Sequence, residues 1–239
     1  MYIKSIGHIG IAVVMSAIAG AAGAANEYQL DDGVEEERFG LSGSGGQSIV
    51  YLNRFVADSS LPSVTDIRVK FDGSALGNAV DVALWTDPNN DGDPTDAMVL
   101  SQLNGVATNA DPDGFGTFNI PNVGLSAGDF FFVGFRINIT NSNGSILPGL
   151  LDEDGTDAVP ASPPMGESFI AASFTDPNDN FPDIVPLNSL SSGRLGLNAI
   201  ATVNGGIDGN WLIRANAIPT PGTIGLLGLA VVGAGRRRR

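Results

Sequence analysis

The residues with the most specific chemical spacing are Asp87-Pro-Asn-Asn-Asp-Gly-Asp93, where Asp87, Asn89 and Asp91 alternate and Gly92 follows. That is the opening of a D-x-[DN]-x-[DN]-G calcium loop. Calcium takes about six to eight hard oxygens at roughly 2.3–2.6 Å, and side chains curled around a glycine turn supply several from one short segment. The EF-hand continuation fails, because its twelfth position falls on Met98 rather than glutamate and no helical pattern flanks it. The expectation is a Ca2+ site of another kind, held by Asp87, Asn89, Asp91 and Asp93, with Asp96 as an alternative last ligand. The competing reading is a solvated acidic turn, since Asp, Pro, Asn and Gly are also ordinary turn residues. Asp111-Pro-Asp-Gly114, Asp152-Glu-Asp-Gly155 and Asp176-Pro-Asn-Asp179 are poorer matches and read as turns.

Other chemistries are limited by composition. There is no cysteine, and the only histidine is His8, inside an N-terminal stretch that reads as a leader. Loss of that leader removes the imidazole, and the chain has no thiolate anywhere, which together exclude disulfides, Cys/His zinc sites and Ser-His or Cys-His catalysis. Paired-carboxylate chemistry of the glycosidase type needs neither group, yet no pair of the twenty-six acidic residues is placed by the sequence on facing strands. The reading is therefore non-catalytic, with a secreted carbohydrate-active enzyme as the alternative. Trp85, Trp211, Tyr28 and Tyr51 are the aromatics that could stack on sugar rings, against the more common role of packing in a core.

The elements that must position these residues are strands. In Asp66-Ile67-Arg68-Val69-Lys70-Phe71 the odd positions are apolar and the even ones charged, the pattern of a strand with one wet face. The alternation recurs in Ala79 to Leu84 and Phe131 to Ile139, and more weakly in Ile49 to Val56. Gly114 to Ile120, Glu167 to Ser173, Arg194 to Ala201 and Asn210 to Ala217 are further candidates. No sustained helical period occurs in the body. Some eight strands separated by Gly, Pro, Asn and Asp turns predict an all-β antiparallel β-sandwich, jelly-roll-like, over residues 26–217. An outer-membrane barrel fits less well, because the strands are irregularly spaced and lack aromatic girdles. Residues 40–47 and 141–166 read as loops, the second long enough to be either functional or disordered.

The two ends differ in composition from the body. Residues 1–25 carry Lys4, an apolar run from Ile9 to Ala19 and small residues through Ala25, the layout of a signal peptide cleaved by signal peptidase after Ala24 or Ala25. Residues 218–239 contain Pro219, Thr220 and Pro221, then an apolar glycine-rich run, then Arg236, Arg237, Arg238 and Arg239. The eighteen residues from Ile218 to Gly235 have only Thr220 and Thr223 as polar side chains. As a helix they reach the lower limit for crossing a hydrocarbon core of about 30 Å. The arginines act as a cytoplasmic stop, and the prolines keep the preceding segment extended. Without Lys4 and the terminal arginines, seven basic residues face twenty-six acidic ones, a net charge of −19. Such a body repels nucleic acid and anionic membrane surfaces and attracts divalent cations.

This tail resembles the PEP-CTERM sorting signal, with Thr220 where that family usually has glutamate. The resemblance covers about a tenth of the chain. It implies processing by an exosortase-like enzyme, transient anchoring through a C-terminal transmembrane helix, and release to the cell surface or extracellular matrix. The combined expectation is an exported protein that adheres to exopolysaccharide or other matrix components, with calcium stabilising its body.

Overall fold

The computed structural model describes residues 26–42, 46–139, 145–153, 168–174, 182–205 and 209–219. The leader, residues 220–239, all of 154–167 and Asp176-Pro-Asn-Asp179 lie outside the described residues. Among those described, the chain is all-β, and every strand pair is antiparallel.

Thirteen strands are described: β1 (Glu27–Tyr28), β2 (Glu37–Ser42), β3 (Gln47–Val56), β4 (Ser63–Val69), β5 (Ala79–Thr86), β6 (Met98–Val106), β7 (Gly116–Gly124), β8 (Phe130–Ile139), β9 (Ser145–Asp152), β10 (Ser168–Phe174), β11 (Leu197–Ala199), β12 (Asn210–Trp211) and β13 (Ile213–Ile218). They form a four-stranded sheet β1-β13-β4-β7, a six-stranded sheet β11-β10-β3-β8-β5-β6 and a three-stranded sheet β12-β9-β2. The core lies between the first two, giving a sandwich-like arrangement. Ile67, Val69, Phe118 and Ile213 of one sheet meet Tyr51, Val82, Phe131 and Phe135 of the other in one buried cluster. The alternation in Asp66 to Phe71 therefore identifies the inward face correctly: Ile67, Val69 and Phe71 are buried, and the charged residues between them are not fully so.

The outer face of the six-stranded sheet is also covered. Val185, Leu187 and Leu190 lie over Trp85, Phe132 and Leu52 in a second apolar cluster. The Trp85 Nε1–H donates to the Leu187 carbonyl at 2.7 Å. Arg136, opposite Asp81 in register, pairs with that carboxylate at 2.5 Å and donates to the Val185 carbonyl at 2.9 Å. The segment is thus fastened by polar contacts at its margin and by apolar burial beneath. On the outer face of the four-stranded sheet, Arg68 and Arg214 stand opposite each other in register. Glu27 neutralises both, Asp113 and Asp31 bind one each, and the Phe115 ring lies under both guanidinium groups at 4.9 and 4.4 Å.

Four expectations require correction. There are more strands than eight, because β1, β2, β6 and β9 carry no clear alternation. The segment 40–47 is not all loop, since Gly40–Ser42 finish β2 and Gln47 begins β3. The segment 141–166 is interrupted by β9, which pairs with β2 and β12. The glycine in β9 serves packing rather than a turn: a Cβ on Gly149 would come within 2.5 Å of the Tyr51 ring and 3.1 Å of Trp211. Bare backbone is what lets β9 cross those two rings. Similarly, Arg194 to Ala201 is mostly not strand; only β11 is extended, and a 3-10 turn over Ile200–Gly205 follows it.

Candidate metal centre

The loop after β5 is built from consecutive side-chain-to-backbone hydrogen bonds. Asp87 Oδ1 accepts from the Asn90 N–H at 3.0 Å, and Oδ2 accepts from the Gly92 N–H at 2.6 Å. Asn89 Oδ1 accepts from the Asp91 N–H, and Asp91 Oδ1 from the Asp93 N–H. Asp93 Oδ1 in turn accepts from the Thr95 N–H, capping a 3-10 turn over Pro94–Asp96. These are the Asx contacts that Asp and Asn make with their own backbone. Asn90 at φ +57° and Gly92 at φ +80° supply the two left-handed residues that curl the chain.

Two anchors hold the curl against the sheet. The Phe130 N–H donates to Asn90 Oδ1 at 2.6 Å, and Arg54 Nη1 donates to the Gly92 carbonyl at 3.1 Å. Arg54 also sits over the Phe130 ring at 5.2 Å. Asp87 is buried, whereas Asp91 and Asp96 are exposed, so the loop has a closed floor and an open rim.

The loop brings together carboxylate oxygens of Asp87, Asp91 and Asp96, all within 4.8 Å of one another. Asp93 is outside this group and caps the 3-10 turn, while Asp96, the alternative last ligand, lies within it. Asn89 lies beside the group, its Nδ2 donating to Asp91 Oδ2 at 3.0 Å. Three carboxylates and neighbouring amide oxygens make an all-oxygen donor set of the type hard cations take. Asp111 and Asp113 behave differently. Both approach Arg68, and Asp111 also accepts from the Thr117 hydroxyl, so that motif is a structural turn.

The four aromatics considered for sugar stacking are all in the core. Trp85, Trp211 and Tyr51 are at most 1 % exposed, and Tyr28 is buried. Tyr51 stacks on Phe135 and meets Trp211 edge-on, and burial pushes its hydroxyl well above the usual phenol range. Trp85 faces away from the central core, as its strand position implies, yet the segment around Leu187 buries it. Of the sorting motif, Pro219 is described and exposed. It directly follows β13, which extends one residue past the expected boundary to Ile218. Thr220, Pro221, Arg236, Arg237, Arg238 and Arg239 lie outside the described residues. Among the described residues no helix is long and apolar enough to cross a membrane. Comparison with known proteins finds no matching family model and no matching curated protein.

Proposed function

We propose that this is an exported, non-catalytic protein of the cell surface or exopolysaccharide matrix, sorted by an exosortase-type system. Its body is a calcium-stabilised, jelly-roll-like β-sandwich. The observation that carries the calcium part is the convergence of Asp87, Asp91 and Asp96 on a curled loop with a buried floor. The export and sorting part rests on the leader, the Pro219-Thr220-Pro221 triplet and Arg236 to Arg239. With the candidate aromatics buried, adhesion to polysaccharide runs through carboxylates and bound Ca2+, not through a stacking platform.

Two experiments test this reading. Replacing Pro219 and Pro221 should retain the protein in the membrane fraction at its unprocessed size; unchanged size and location would reduce the tail to an anchor. Co-sedimentation of the purified protein with the producing cells' exopolysaccharide should occur in Ca2+ and fail in EDTA. Equal sedimentation in both would remove calcium from the adhesive role.

A further inference from the structure

The edges of the three sheets are unequally guarded. β1 and β12 are two residues each and β11 is three, too short to template another strand. β2 carries Glu37 and Arg38, and β7 carries the exposed Pro121 within an irregularity of its pairing with β4. The remaining edge is β6, nine residues reading Met98-Val-Leu-Ser-Gln-Leu-Asn-Gly-Val106, with no proline and no charge. Among the described residues only β5 pairs with it, so one row of its backbone N–H and C=O groups faces outward. The register against β5 shifts beside Leu100 and is unbroken from Ser101 to Val106. Leu100 and Val106 are 46 % and 55 % exposed.

The groups left open repeat along a strand, so extended backbone is what covers them. Charge selects whose backbone. Over most of the acidic body a second copy is repelled, whereas β6 presents it with no carboxylate. The nearest acidic residues in the chain, Asp96 and Asp111, lie four residues before Leu100 and five after Val106. Beside the strand, Asp81 is neutralised by Arg136. The residue order is also self-complementary. In an antiparallel pair about a two-fold axis at Leu103, Leu100 falls opposite Val106 of the second copy at both ends, and Gln102 falls opposite Asn104. Leu103 packs on the central core, while Asn104 donates to Asp81 on the other face of the sheet, so these alternate positions keep their faces across the pair.

We propose that β6 pairs antiparallel with β6 of a second copy of this chain, about Leu103, joining the two six-stranded sheets into one continuous sheet. Seven residues a side make a small interface, below about 1,200 Å2, of the weak and transient class. The dimer therefore forms where the protein is concentrated, and like charge on the two bodies opposes it.

The test is sedimentation equilibrium of the purified protein from about 5 to about 500 µM, the range in which a weak interface fills. Wild-type protein should pass from monomer to dimer. Raising salt from about 0.05 to about 0.5 M should strengthen the dimer, because screening reduces repulsion between the acidic bodies. Leu100→Glu with Val106→Glu places like charges opposite each other at both ends and should weaken it by about tenfold or more. Leu100→Glu with Val106→Lys places Glu opposite Lys and should restore it, which a contact elsewhere on the surface would not do. Circular dichroism checks that each variant is folded, and if the pair of glutamates prevents folding, Val106→Glu alone at the end of the strand takes its place. Wild-type protein that stays monomeric throughout would overturn the proposal, as would a dimer of equal affinity in the folded glutamate variant. Monomeric wild-type protein whose sedimentation with exopolysaccharide is lost in that variant would also overturn it, because the β6 edge would then belong to the glycan.

Discussion

The two carboxylate groups differ in how they are built. In each, three of the six carboxylate oxygens accept backbone N–H bonds: both oxygens of Asp87 and one of Asp91 in the first, and one each of Asp32, Glu36 and Asp152 in the second. The group at Asp87, Asp91 and Asp96 is local, and its bonds run within one turn. The group at Asp32, Glu36 and Asp152, whose oxygens lie within 4.8 Å of one another, is assembled by the pairing of distant segments. There, burial with two acidic neighbours drives the Asp152 carboxyl up to about 6. A loop of the first kind is shaped by its turns, whereas a group of the second kind gathers like charge around a buried carboxyl.

That contrast can be broken most forcefully from the buried side. Arg214→Ala strands the fully buried Asp31 carboxylate and should cost about 3–5 kcal/mol in chemical denaturation. Arg54→Ala beside the first loop should cost about 1 kcal/mol or somewhat more, since the contacts it removes at a half-buried site include those to the Gly92 carbonyl and the Phe130 ring. Similar losses for the two variants would mean that the regions do not differ as described.

Calcium provides the next test. With Ca2+ about a hundredfold above its dissociation constant, the loop at Asp87 should add about 2.7 kcal/mol of stability. Asp91→Ala should remove that gain. In the absence of Ca2+ the same substitution at this exposed position should change stability by about 0.5 kcal/mol or less.

The pH dependence has a definite sign. A carboxyl raised from its unfolded value of 3.8 to about 6 binds more protons in the folded state across that interval. Its contribution to stability is therefore present at low pH and is lost as pH rises from about 4 through about 6. Asp31 is raised by burial and acts in the same direction, whereas Asp72 and Asp113 are lowered and act in the opposite one. The clean comparison is between variants: wild-type protein should lose stability relative to Asp152→Asn on going from pH 4 to pH 7. A difference independent of pH would reject the raised carboxyl.

Gly92→Ala should have an effect close to that of Arg54→Ala. Its backbone is at φ +80°, and a Cβ would meet Arg54 Nη1 at 2.9 Å, the far end of a flexible side chain. A loss of about 1 kcal/mol is expected, read as a shift in the denaturation midpoint with unchanged slope.

The sequence reveals strands wherever exactly one face is buried. Asp66 to Phe71 is the clearest case, because solvent and core impose opposite residue types on alternate positions. In Phe131 to Ile139 the inward residues are recovered, but Phe132 points outward and is buried as well, under a segment more than fifty residues away in sequence. β9 is hidden because Pro148 and Gly149 look like a loop, while the glycine is needed to pass over Tyr51 and Trp211. β6 has no charge to mark its wet side. The curled acidic loop at Asp87 is legible since its Asp and Asn residues follow one another, although whether Asp93 or Asp96 joins the carboxylate group depends on which of them caps the 3-10 turn. The group at Asp32, Glu36 and Asp152 leaves no spacing to read, for its members meet only when β2 and β9 pair.

The most direct test of a calcium-stabilised acidic β body is the melting temperature of chelator-treated protein before and after Ca2+ is added. The expected result is a rise of roughly 5–10 °C, abolished by Asp91→Ala. An unchanged melting temperature in the wild-type protein would contradict the account.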